Sequence, residues 1–313
     1  RQCADYHTLM SAKHFAINRL LASLCVLECK SDPKQQDKRF LRSKNNNSVA
    51  KNDAAVSEFH SLLAGSRSHL SLAAQSDCGR RRKVNQDRLN IDVETALVVI
   101  ADGMGGHRAG EVAAQIAVDC IPEHFAQSYG DSAHAAAECL KFALEQANAA
   151  IFAQALEPEN KGMGTTAIAA HLSDNRLTIA HIGDSRLYLF RQGSLEQLTH
   201  DHSLLQELID DGFYTERSSR STGMGHVVTR ALGIKATSQV DTLHCTLQEG
   251  DLLLFCTDGL SDLVADWQIS DTLREFEGDL ADTCRLLINH ANRNGGRDNV
   301  SVVLARYSAA REG

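Results

Sequence analysis

Four short apolar runs in this chain end or begin on an aspartate that sits beside Gly or Asn. "LVVIADG" carries Asp102, "LTIAHIGDS" carries Asp184, "LLLFCTDG" carries Asp258, and "GRDNVSVVL", in the reverse sense, carries Asp298. A single carboxylate in such a place is ordinarily a turn former or a helix cap. Repetition changes the reading, because carboxylates gathered at one end of a sheet repel and raise one another's pKa unless a cation neutralises them. Ligands that are all oxygen select hard ions, Mg²⁺ or Mn²⁺, over zinc or copper. A fifth carboxylate, Asp87, comes with cations: "SDCGRRRKVNQD" sets Arg82 five residues ahead of it. Three consecutive arginines are ordinarily a solvated surface run, but beside a metal cluster a guanidinium fork is the natural bidentate partner of a phosphate. The glycines after Asp102 do not form a dinucleotide cradle, since Arg108 stands where a GxGxxG pattern needs its third Gly. They are expected to shape a metal site instead, with Gly105 and Gly106 keeping side chains clear of the pocket.

Elements of the right kind surround these groups. Residues 97–101, 176–182, 186–190, 251–256 and 299–305 are short runs rich in Val, Ile, Leu and Phe, bounded by Gly, Asp or Asn, as strands are. The segment after Asp87 reads as a further strand. Residues 109–128 place Val112, Ile116 and Cys120 at helical spacing, and residues 132–156 do the same with Leu140, Leu144 and Ile151. Turn signals at 173–175 ("SDN") and 191–193 ("RQG") join neighbouring strands, which favours antiparallel pairing over parallel crossover units.

At 313 residues and 43% apolar content the chain has enough material for a sizeable core. Residues 1–70 hold 11 basic and 6 acidic side chains, whereas residues 71–313 hold 21 and 34. The acidic majority argues against a nucleic-acid footprint. Nine scattered cysteines without a CxxC pair suit free thiols in a reducing cytoplasm better than disulfides or zinc, and the local pair Cys25 and Cys29 reads as ordinary apolar positions. No stretch has the length of a membrane span. Residues 19–29 follow basic residues as an export signal would, but bulky Leu and Val and acidic Glu28 replace the small residues of a cleavage site. The expected organisation is an N-terminal extension over 1–68, with an amphipathic helix at 7–29 and a polar linker at 30–57, followed by a catalytic domain over 69–310.

The ordered strings "SDCGRRRKVNQD", "ADGMGGHRAGE", "GMGTT", "IGDSRLY", "TRALG", "CTDGLSD" and "GGRDNVSVV" resemble the metal-dependent serine/threonine protein phosphatases, the PPM or type 2C family, and look most like its compact bacterial branch. The resemblance spans about residues 70–307. It implies an α+β fold, a four-layer α/β/β/α sandwich of two antiparallel sheets flanked by helices. It implies two Mn²⁺ or Mg²⁺ ions on Asp87, Asp102, Asp258 and the carbonyl of Gly103, with Asp298 on the second, and a third ion on Asp184 with Asp258. Arg82 matches the arginine that grips the substrate phosphate. The implied reaction is hydrolysis of phosphoserine and phosphothreonine by direct attack of a water bridged by two metals, with no phosphoenzyme. Phosphorylated proteins and an opposing kinase are the implied partners, and a monomer is expected.

Two positions depart from the family pattern. Gln86 stands where many members have Glu, which removes a negative charge near the metals, and Met104 stands where many eukaryotic members have a proton-donating His. His107 lies nearby in the loop, although a lone His in a glycine turn is more often structural or exposed. The segment at about 200–228 matches the family's mobile flap, with helix-forming residues at 203–211. A same-fold phosphohydrolase of non-protein phosphomonoesters and a catalytically silent binding module remain as alternatives.

Overall fold

The computed structural model describes residues 56–64, 68–106, 109–130, 135–214, 227–276 and 278–309. All of them fall within one unit, Asp53–Gly313. The expected amphipathic helix at 7–29, the linker up to residue 55 and the pair Cys25 and Cys29 lie outside the described residues.

Strands β1 (Val56–Ala64), β2 (Ser68–Asp77), β3 (Asp87–Asp92) and β4 (Leu97–Met104) are followed by helices α1 (Ala109–Gly130) and α2 (Ala136–Gln154). Then come β5 (Gly164–Thr165), β6 (Ala167–Ser173), β7 (Arg176–Ile182), β8 (Arg186–Arg191), β9 (Ser194–Gln197) and the short α3 (Leu204–Asp210). The chain closes with β10 (Asp241–Thr246), β11 (Leu252–Cys256), α4 (Asp258–Ser261), α5 (Asp266–Arg274), α6 (Leu280–Arg293) and β12 (Val300–Ser308). One sheet has the order β1-β2-β12-β11-β8-β9 and the other β10-β7-β6-β4-β3, with β5 paired to β4. Every strand pair is antiparallel, as the turn signals predict. The first sheet starts upstream of residue 69, since β1 pairs with β2.

The unbroken apolar runs follow from burial on both faces. Along β4, Leu97, Val99 and Ala101 face a core shared with α1 and α2, while Val98 and Ile100 face a second core between the sheets. Along β11, Leu253 and Phe255 enter that central core, and Leu252, Leu254 and Cys256 enter a third core under α5 and α6. A period of two with both faces covered gives helix, sheet, sheet, helix, the expected four layers.

The helices agree in extent more than in face. Leu140, Leu144 and Ile151 of α2 are fully buried, as expected. In α1 the buried stripe is Ala113, Ala117, Ile121 and Phe125, whereas Val112 is exposed and Ile116 and Cys120 are only partly buried. The small alanines let α1 lie close on β4, so the bulky residues give the wrong face.

That close approach begins at the end of β4. A Cβ on Gly103 would lie 2.0 Å from the Gly110 carbonyl oxygen, and one on Gly110 would lie 2.5 Å from that of Gly103. The two glycines thus bring strand end and helix start together. Gly106 is different, because a Cβ there would meet nothing within 4 Å; no side chain has to be kept clear at that position. Gly103→Ala is therefore expected to lower the stability of the metal-free protein by about 3 kcal/mol or more, and Gly106→Ala to stay within about 0.5 kcal/mol. Urea unfolding of the two variants in chelator checks the contrast.

Candidate active site

The two sheets deliver their aspartates to one cleft. Asp87 opens β3 and stands directly opposite Asp102 on β4. From the other sheet, Asp258 follows β11 and opens α4, and Asp298 precedes β12, which runs antiparallel to β11. Asp184 lies where the chain crosses from β7 in one sheet to β8 in the other. Asp102, Asp184, Asp258 and Asp298 line a cleft of about 620 Å³ together with Arg82, Gln86, Gly103 and Met104.

Asp87 is the most deeply buried of the set. Its Oδ2 accepts hydrogen bonds from Thr257 Oγ1 at 2.9 Å and Ser301 Oγ at 2.7 Å. Its Oδ1 is buried and has no hydrogen-bond partner. Burial pushes the carboxyl up to about 7, against the pull of the two hydroxyl donors, and the charges of Asp258 and Asp298 push the same way. Burial also raises Asp102 well above the usual carboxylate range, followed by the charges of Asp87 and Asp258 and by a hydrogen bond with the Asp258 carboxyl. Asp184 is raised by burial and then by Asp258 and Asp201. Without a cation, protons must hold this cluster together. An orphaned buried carboxylate oxygen amid mutually repelling acids is the donor set that a hard divalent cation satisfies.

The surrounding residues fix the backbone that carries the acids. The Asp102 amide donates to Thr166 Oγ1 at 3.0 Å, and its carbonyl accepts from the Thr166 amide at 2.9 Å and from Thr165 Oγ1 at 2.8 Å. Asn299 accepts from the Gln86 amide at 2.9 Å through Oδ1 and donates through Nδ2 to the Cys78 and Val84 carbonyls, both at 3.0 Å. Asp184 is steadied from behind. The Gly183 amide donates to His202 Nδ1 at 3.1 Å, which leaves the His202 proton on Nε2 to donate to Asp241 at 3.1 Å. Burial holds His202 neutral, so this second contact is a hydrogen bond. His181 stacks on the His202 ring with centroids 4.9 Å apart. His202 has its lone-pair nitrogen engaged by the Gly183 amide, so it buttresses the crossing together with His181 and Asp241.

Arg82 sits at the cleft mouth, half exposed, with Nη2 donating to Asp298 Oδ2. Gln86 is buried, and Met104, which cannot donate a proton, lies in the cleft wall. His107 lies outside the described residues. The flap is described at 200–214 and 227–228, and its base is closed by Leu204 N to Val227 O at 2.8 Å and Thr229 N to His202 O at 2.8 Å. Ser203 caps α3 by accepting from the Gln206 amide. Thr257, Ser301, Thr166 and Asn299 are site residues that sequence reasoning misses. Thr257 and Asn299 carry a signal, since each adjoins an aspartate at the end of an apolar strand, whereas Thr166 and Ser301 have no aspartate beside them.

Known proteins agree with this geometry. A family model for protein phosphatase 2C matches residues 75–304. The serine/threonine phosphatase stp of Listeria welshimeri is 34% identical over 244 residues, which is 76% of this chain and 96% of that protein. The serine/threonine protein phosphatase PstP of Mycobacterium tuberculosis is 40% identical over 237 residues, 75% of this chain and 45% of PstP. The crystal structure of the PstP catalytic domain in complex with two manganese ions superimposes with a TM-score of 0.66 at 38% identity, covering 76% of this chain and 98% of that one. The order of strands, the converging aspartates and these relatives agree, and the chain belongs to the metal-dependent protein phosphatase 2C family.

Proposed function

We propose that this chain is a protein serine/threonine phosphatase that hydrolyses phosphoserine and phosphothreonine with two divalent cations, Mn²⁺ or Mg²⁺, in the cleft. The observation that carries the reading is the buried, unpartnered Oδ1 of Asp87 inside a cluster of acids whose pKa values burial and mutual repulsion raise. Asp87, Asp102, Asp258 and the Gly103 carbonyl are the proposed ligands of the metal pair, with Asp298 on the second ion. Asp184 joins Asp258 for a third. When bound, two such ions make water a nucleophile at neutral pH and neutralise charge developing on phosphorus.

This chain's own groups do the rest. Thr257 and Ser301 hold Asp87 by one oxygen, which leaves the buried Oδ1 as the atom that would bind a cation. Arg82, anchored through Asp298 at the mouth, presents its guanidinium to the phosphate and orients it for in-line displacement. Gln86 carries no charge and Met104 no dissociable proton, so neither serves as the acid for the leaving oxygen. No side-chain nucleophile is needed, hence no phosphoenzyme forms. All the groups come from one chain, so a monomer suffices. Phosphoproteins and an opposing kinase are the corresponding partners. The six described cysteines are free thiols, and burial raises Cys256 and Cys284 to about 12, which suits a reducing, cytoplasmic compartment. No helix among the described residues is long and apolar enough to cross a membrane.

Turnover of a phosphothreonine peptide is expected with Mn²⁺ or Mg²⁺ and to vanish in chelator, and Asp298→Asn is expected to lower kcat by about 10²-fold or more. Activity that survives chelator, or an unimpaired Asp298→Asn, overturns the two-metal reading. A thermal assay gives an independent readout. Mn²⁺ at about 100 times its Kd is expected to stabilise the wild type by about 2.7 kcal/mol. Asp102→Asn is expected to lose that shift while raising the metal-free Tm by about 2–4 °C, since it removes a carboxyl that burial and its acidic neighbours force to take up a proton on folding. A metal-free Asp102→Asn protein less stable than wild type contradicts the charge-repulsion account.

A further inference from the structure

Arg82 and Arg297 line the cleft, and more cations adjoin them in sequence than hydrolysis requires. Arg80, Arg81, Arg82 and Lys83 follow one another between β2 and β3, all exposed, and Arg297 is exposed in the cleft wall. Arg82 is engaged with Asp298. The other four side chains make no ion pair or hydrogen bond among the described residues. The domain around them has the opposite character, with 34 acidic against 21 basic side chains over residues 71–313.

A run of surface cations is ordinarily just solvated. Here the two loops that bear them are clamped into one body. The Arg80 and Arg81 amides donate to the Gly296 carbonyl at 2.8 and 3.2 Å. Asn299 ties down the Cys78 and Val84 carbonyls, and Asn292 donates to Asp77 Oδ1 at 3.1 Å, which also accepts from the Gly79 amide at 2.7 Å. Gly79 has φ +75°, and a Cβ there would fall 2.1 Å from the Asp298 carbonyl oxygen, so the loops touch backbone to backbone beside the proposed metal ligand. The backbone under these cations is therefore fixed, and the freedom lost on binding an anion is that of the side chains alone. Asp102, Asp184, Asp258 and Asp298 in the cleft wall are the acids the metals would neutralise, and Asp262 is the remaining one. Attraction for a second anionic group is therefore concentrated on the arginine side.

We propose that Arg297, with Arg81 and Lys83, forms an anion subsite that selects phosphorylated segments carrying a second anionic group, a carboxylate or another phosphate, near the reacting phosphoserine or phosphothreonine. This rests on the phosphatase reading above. Substrate residues one to three positions away lie about 3–10 Å along an extended chain, the reach of side chains adjacent in sequence to Arg82 and Asp298.

The test uses three phosphothreonine peptides of equal length, with Ala flanks, with Glu flanks and with a second phosphothreonine. Steady-state kcat/KM with Mn²⁺ is measured at low and high salt for wild type, Arg297→Glu and the double variant Arg81→Glu/Lys83→Glu. Fluorescence anisotropy in chelator gives binding without turnover. Wild type is expected to favour the anionic peptides by about tenfold, with the preference shrinking in salt and lost in Arg297→Glu. Preference for Glu flanks as well as phosphate marks a general anion subsite, and preference for the diphosphorylated peptide alone marks a phosphate subsite; either supports the proposal. Equal kcat/KM for the three peptides in wild type, or a preference that survives both variants, overturns it. Should no peptide be hydrolysed with either metal, the phosphatase reading fails, and the binding ratios in chelator still decide whether the subsite exists.

Discussion

The structure depends on a conflict between charge and burial. Asp87, Asp102 and Asp184 are placed where desolvation and mutual repulsion penalise their ionised forms. No pair of sheets would gather such groups for stability alone. The arrangement is tolerated because hydroxyls and amides from both sheets hold the acids, and divalent charge among them would relieve the rest of the repulsion. Thr257 and Ser301 reach Asp87 from the opposite sheet, so the seam between sheets and the reactive cleft are a single construction.

Much of the fold is legible in the sequence because its strands are buried on both faces. The runs at 97–101 and 251–256 stand out as apolar, and the hairpin turns at 173–175 and 191–193 fix the antiparallel direction that such runs alone leave open. The edge strand β1 escapes notice because its apolar residues, Val56, Phe59, Leu62 and Leu63, do not keep a period of two, and its register with β2 shifts between Phe59 and Leu62. The face of α1 escapes for another reason: periodicity of bulky residues points to Val112, whereas close packing on β4 selects alanine. Size complementarity between a helix and a sheet is a property of the pair, and neither sequence segment carries it alone.

The site divides in the same way. The aspartates declare themselves because each ends an apolar run, and a carboxylate in that place is conspicuous. Their supports do not, since Thr166, Thr257, Asn299 and Ser301 are common residues whose meaning lies in partners from distant segments. The buttress of His202 and Asp241 behind Gly183 is invisible until the chain is folded. Gln86 and Met104 are legible as departures, and their difference is chemical: one brings no negative charge and the other no dissociable proton.

The donors to Asp87 lie 170 and 214 residues further along the chain. On a growing polypeptide the acids therefore emerge apart, each hydrated and harmless, and they meet only when β11 and β12 have been added to the first sheet. Closing loops of that size is slow relative to local structure. A cation that bound only the assembled cluster would stabilise the native state without having to template it.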